Sequence, residues 1–228
     1  MKNIVFLFTL LLFIFNKSFS QGYVPETNES VASLENYSKE GFGFAEDIPS
    51  AKSLVKYVPP IGNQRQTGSC AAWATTYYAT SIVYNRMFGI TSYRDKWAHS
   101  FDPWFTYSLM SIIEGDLMNC ENGTRISGSL ELLERYGPKK IFLPPRNYLC
   151  NESFTDKQLD IINRTARPFA IDHFEYESAY NQDAYNYPLS NSVVNKVKTE
   201  IGKYAFPVVA GFSNFQPSVV MQKTAGRS

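Results

Sequence analysis

Apolar and polar positions change their rhythm several times along the chain. Ile4 to Phe15 is apolar except for Thr9, with Lys2 before it and Asn16-Lys17-Ser18-Phe19-Ser20 after it. A charged start, a short apolar core and small residues ahead of a cleavage point predict an export signal over residues 1–20. The core is too short for a membrane-spanning helix, which needs about 20 residues. From Gln21 to about residue 52, Glu, Asn, Ser and Gly dominate and no period holds, so this stretch reads as a flexible N-terminal segment. Beyond it Pro59, Pro60, Gly62 and Gly68 interrupt regular structure. From Ala71 the apolar positions Ala71, Ala72, Ala74, Ala79, Ile82 and Val83 recur at three and four, which predicts a helix ending near Phe88-Gly89.

A polar turn follows, and Asp102-Pro103 then opens a second helix carrying Phe105, Leu109, Ile112 and Ile113 on one face. A third runs from Ile126 to Tyr136 and stops at Gly137-Pro138. Further helices are predicted over Ser153 to Arg164, and from Ser190-Asn191-Ser192 with Val193, Val194, Val197 and Ile201 on one face. Alternation from Pro168 to Tyr176 predicts a strand, Asn181 to Pro188 a loop, and Pro207 to Phe212 a buried strand.

About 208 residues would remain after signal cleavage, enough for one large domain or two lobes sharing a cleft, and 44% apolar residues can build its core. Cleavage removes two lysines and takes the formal charge from +1 to −1, so no electrostatic partner is implied. The chain has no basic run with interleaved aromatics, no phosphate-binding loop and no dinucleotide fingerprint. Nucleic acid and nucleotide cofactors are therefore not expected, nor is a membrane after the signal is removed.

The candidate chemistry lies at Cys70. Ser69 is a natural N-cap, which puts Cys70 in the first turn of a helix, where unpaired N–H groups and the helix dipole favour the thiolate. The surrounding residues, Gly62-Asn63-Gln64-Arg65-Gln66-Thr67-Gly68-Ser69-Cys70-Ala71-Ala72-Trp73-Ala74, resemble the papain-like (C1) cysteine peptidases of secreted bacterial type. The resemblance differs from the plant and lysosomal signature, because Thr67 stands where that pattern has its first cysteine and Ala71 where it has an aromatic residue. It implies that Cys70 attacks the scissile carbonyl and that the Gln64 amide joins the Cys70 N–H in an oxyanion hole. Cys120-Glu121-Asn122-Gly123 is similar to the family's C-N-G-G segment, which implies that Gly123 pairs with substrate backbone. Asn122 replaces a glycine there, and a plain turn glycine at Gly123 is the competing reading.

The implied fold is a papain-like α+β domain over 53–228, with the helical lobe present and the β-rich lobe incomplete. The implied substrates are polypeptides, and the implied location is secreted or periplasmic. Three cysteines in an exported chain leave one unpaired, and with Cys70 as the odd one Cys120 would join Cys150. A loop of that length would be stabilised by roughly 3.5 kcal/mol on the chain-entropy model. A metal site is not expected, since the cysteines are far apart and no Cys-x-x-Cys spacing occurs. The family's general-base histidine follows its cysteine by roughly 130 to 150 residues. Here only His99 and His173 exist, in a polar stretch and in the first predicted strand, which makes both expected structural residues. The chain is therefore expected to stop short of the family's His and Asn. A catalytically silent protein-binding domain is the alternative.

Overall fold

The chain over residues 70–87 forms one continuous helix, α1, in which α-helical ends Cys70–Ala72 and Ser81–Met87 flank a π-helical stretch, Trp73–Thr80. Two threonine hydroxyls bind its carbonyls: Thr75 Oγ1 donates to Ala71 O at 2.9 Å and Thr80 Oγ1 reaches back five residues to Thr75 O at 2.9 Å. A π-helical stretch is uncommon and occurs often at functional sites. The structure is a computed structural model, and it describes residues 52–113, 120, 122–141, 155–172 and 191–211. The expected export signal over residues 1–20 and all of the expected flexible segment but Lys52 lie outside the described residues.

Helix α2, Tyr93–Ala98, occupies what the residue pattern presents as a polar turn. Ser92 caps it, accepting from the Asp95 N–H at 3.1 Å and donating its hydroxyl to Asp95 Oδ2 at 2.6 Å. Helix α3, Pro103–Ile113, begins where Asp102 Oδ1 accepts from Trp104 N at 3.0 Å. Helix α4 is Ile126–Arg135, α5 is Asp156–Ala166, and α6, Asn191–Thr199, runs on into a π-helical turn, Glu200–Tyr204.

The core lies where α1, α3 and α4 meet. Phe105, Leu109, Met110 and Leu132 form one apolar cluster with Tyr136 against it, and Ala72, Trp104 and Tyr107 form another that Trp73 covers. Small residues let the helices approach closely, and their hydroxyls pair across the seams: Thr76 Oγ1 donates to Thr106 Oγ1 at 2.9 Å and Thr75 meets Ser129. Pairing matters because a buried hydroxyl without a partner costs roughly 1–3 kcal/mol.

The expected α+β papain-like fold is not what the residues build. Among the described residues there is no sheet, and the bridge Phe101–Lys140 stands outside any named strand. Pro168 lies inside a 3-10 turn, Arg167–Phe169, and Phe169 turns its ring to Tyr84 and Phe101 instead of to a neighbouring strand. Residues 207–211 take no helical or strand form, and Val208 stays 41% exposed. The first expectation comes from alternation over Pro168 to Tyr176 and the second from the apolar residues at Pro207 to Phe212, both short runs of sequence. Such runs do not by themselves distinguish a strand from other buried segments, since a strand also needs a partner for its N–H and C=O groups. The remainder of the first run, including His173, and Phe212 of the second lie outside the described residues.

Candidate functional site

The approach to Cys70 is a strap laid along α1 in the opposite direction. Its carbonyls and N–H groups are tied to the helix in succession: Asn85 Nδ2 donates to Tyr57 O at 2.9 Å, Tyr77 Oη to Pro60 O at 2.6 Å, and Gly62 N to Tyr78 Oη at 3.1 Å. Burial pushes the Tyr77 hydroxyl well above the usual tyrosine range, which keeps it a donor. Gly62 presses on the Trp73 ring so closely that an added Cβ would lie 2.0 Å from a ring carbon. Asn63 Oδ1 then accepts from Arg65 N at 2.7 Å, and Arg65 takes a left-handed conformation with φ 57°.

The last turn before the cysteine is closed by side chains. Thr67 Oγ1 donates to Gln64 O at 2.7 Å and lies 2.7 Å from Ser69 Oγ, while Gln64 Nε2 donates to Thr67 O at 3.4 Å. Gly68 N donates to Cys120 O at 2.8 Å, and a Cβ on Gly68 would lie 2.0 Å from Asn122 O and 2.8 Å from Gly123 N. A side chain at Gly68 would therefore separate the two loops. Tyr107 holds the second loop from below, its hydroxyl 3.1 Å from Cys120 O and 2.7 Å from Asn122 O. Three of the residues singled out from the sequence, Gln64, Cys120 and Gly123, thus belong to two loops joined at Gly68, and Cys70 opens α1 at the end of the first.

Cys70 is a half-buried thiol that belongs to no disulfide. Its sulfur feels opposed influences. Burial raises its pKa, and the N–H groups of Ala71 and of Cys70 itself pull it down by less, so the net direction is upward. Burial and the helix start thus act on the thiol in opposite directions. Cys120 is disulfide-bonded. Cys150, the partner expected for it, lies outside the described residues.

His99 stacks on Tyr84, with ring centroids 5.9 Å apart. Tyr84 is fourteen residues beyond Cys70 on α1, about 20 Å along a helix. His99 is thus at the wrong end of α1 to exchange a proton with Cys70, and its role is in packing. Its carbonyl accepts from Lys140 Nζ at 3.1 Å, and that ammonium lies 3.3 Å from the Tyr84 ring centroid, 4.5 Å from that of Phe101 and 4.9 Å from that of Phe169. Among the described residues no group of three or more His, Cys, Asp and Glu could hold a metal ion.

Three features here escape the sequence reading. Ser69 stands at the N-cap but makes no capping bond with its side chain. Tyr107 reads as one more core aromatic, although its hydroxyl organises the second loop. Lys140 has no part in the sequence reading, although it sits among three rings. Only Thr67 carried a signal, as the hydroxyl standing where the resembled family has a cysteine. Comparison with protein-family models, curated proteins and solved structures finds no match.

Proposed function

We propose that the chain supplies the nucleophile of a cysteine-type peptidase, with Cys70 attacking a peptide carbonyl to form a thioester. Gln64 and the Cys70 N–H serve as oxyanion donors, and Gly123 offers backbone to an extended substrate. The observation that carries this reading is the joint at Gly68, where Gly68 N meets Cys120 O at 2.8 Å and no room remains for a side chain. It brings the Gln64–Cys70 loop beside Gly123 through backbone contacts. Gln64 already has its amide turned back toward the cysteine end of the loop, on Thr67 O.

In the proposed step the Cys70 sulfur forms a bond to the carbonyl carbon, a base takes the thiol proton, and the departing amine leaves with a proton. That base has to be another group, as in any attack that starts from a protonated sulfur. His173 lies outside the described residues. Casein hydrolysis by the exported chain, measured beside Cys70→Ala, tests the reading: the account expects any hydrolysis to disappear in the variant, and hydrolysis that survives Cys70→Ala would refute it.

A second reading, a catalytically silent domain that binds polypeptides, draws on the same joint at Gly68, which would seat an extended peptide beside Gly123 without chemistry. It predicts that Cys70→Ala leaves peptide binding intact and that Cys70 forms no acyl adduct with activated esters.

A further inference from the structure

We propose that Thr67 is a positioning residue for Cys70: its hydroxyl draws Ser69 away from the helix N-cap and so reserves the Ala71 N–H for the Cys70 sulfur. The proposal rests on the reading of Cys70 as a nucleophile, and extends it to the residue that sets its reactivity.

An N-cap serine ordinarily has extended backbone and accepts, through Oγ, from the second or third N–H of the helix. At this helix start those belong to Ala71 and Ala72. Ser69 departs from that pattern in both respects, with ψ 14° and no side-chain capping bond. It is fully buried, so water does not replace the missing contact. Its hydroxyl is instead 2.7 Å from Thr67 Oγ1. The Thr67 proton is already given to Gln64 O at 2.7 Å, so the proton between the two hydroxyls must come from Ser69. The relay Ser69→Thr67→Gln64 therefore has a single polarity, and the Gln64 amide closes it by donating to Thr67 O.

The consequence falls on Ala71. Its N–H is one of the two backbone donors that favour the Cys70 thiolate, and it is also a donor that a capping Ser69 would take. Two acceptors compete for one donor, and Thr67 decides between them. The same hydroxyl fixes the carbonyl of Gln64, the proposed oxyanion donor, so one side chain sets both partners of the reacting centre. No covalent tie is needed at position 67 for this, because the two hydrogen bonds span the same turn.

The test is the rate of Cys70 alkylation by iodoacetamide in the full exported chain, followed by mass spectrometry of the Cys70 peptide from pH 5 to pH 9.5. Thr67→Val keeps the shape and removes the hydroxyl. It should move the midpoint of the profile upward by roughly one unit and slow alkylation about tenfold below it, the scale of one hydrogen bond to a charged group. Thr67→Ser should restore the wild-type profile. In the double variant Thr67→Val with Ser69→Ala the competing acceptor is absent, so the midpoint should return as well. A role of Thr67 in packing alone would leave that double variant as slow as Thr67→Val, and this result overturns the proposal, as does a wild-type profile in Thr67→Val. Should Thr67→Val fail to fold, Ser69→Ala alone decides. A serine that is not capping can be removed without raising the midpoint, and a rise would contradict the relay. These outcomes do not depend on peptide hydrolysis. A wild-type Cys70 that no pH renders alkylatable would refute the nucleophile reading itself, whereas a reactive Cys70 indifferent to Thr67 would refute only the relay.

Discussion

At its start α1 is fixed by short directional bonds: Gly68 N on Cys120 O, Thr67 on Gln64 and Ser69, Tyr107 on two carbonyls of the facing loop. Toward its other end Tyr84 meets Phe88, His99, Phe101 and Phe169, and the Lys140 ammonium is drawn to three ring faces with one carbonyl to aim it. The first arrangement has little tolerance in position, since shifts of a few tenths of an ångström lengthen several hydrogen bonds together. The second tolerates movement, because the attraction of a cation to a ring is broad in distance, and here the burial of the ammonium outweighs that attraction, so its charge is a net cost. One helix thus carries a region built for geometry and a region built for cohesion. Candidate chemistry belongs to the former.

The largest effect expected from breaking this contrast is at the geometric end. Gly68→Ala places a methyl group 2.0 Å from Asn122 O, backbone that has no rotamer to yield. Chemical denaturation should show a loss of about 3 kcal/mol, at the upper end of overpacking costs, and Cys70 alkylation should change with it. A variant as stable as the parent would mean that the two loops are not in contact there.

At the cohesive end the contrast is sharpened by pH. Burial lowers the Lys140 ammonium to about 8 from its ordinary 10.5. Between those values the unfolded chain holds more of this proton than the folded one, so the Lys140 contribution to stability rises with pH through that window and is flat below it. Lys140→Met should lack the rise. Urea unfolding of both chains from pH 7 to pH 10.5 measures the difference, and parallel curves would show that Lys140 is solvated.

The smallest effect is expected outside both regions. Ala205 ends the π-helical turn in a left-handed conformation with φ 56°, and its carbonyl accepts from Arg86 Nη1 at 3.0 Å. Ala205→Gly should stabilise the chain by about 0.5 kcal/mol, the relief of left-handed strain less the entropy glycine adds to the unfolded state. A loss of stability would indicate that the alanine methyl packs better than its backbone strain costs.

Much of the helical part of the fold is legible in the residues. Asp102-Pro103 and Gly137-Pro138 mark real helix boundaries because capping and proline chemistry act locally. The helix that begins at Cys70 is legible for the same reason, though its π-helical middle is not, since the threonine hydroxyls bound to its carbonyls leave no mark in the apolar period. The strands fail at Phe169 and Val208 because a strand is a relation between distant segments, and apolar runs say nothing of the partner. At the site, Gln64, Cys70 and Gly123 could be named from one stretch each. The joint that brings their loops together could not, because it is made by backbone groups of Gly68 and Cys120 and by the size of a missing side chain.

The account stands most directly on acylation of Cys70. The chain, incubated with an N-acyl-amino-acid p-nitrophenyl ester, should release p-nitrophenol in a burst no larger than the protein concentration. The mass of one acyl group should appear on the Cys70 peptide, and both signals should be absent in Cys70→Ala. An adduct spread over lysines with Cys70 unmodified, or a burst unchanged in Cys70→Ala, would contradict it.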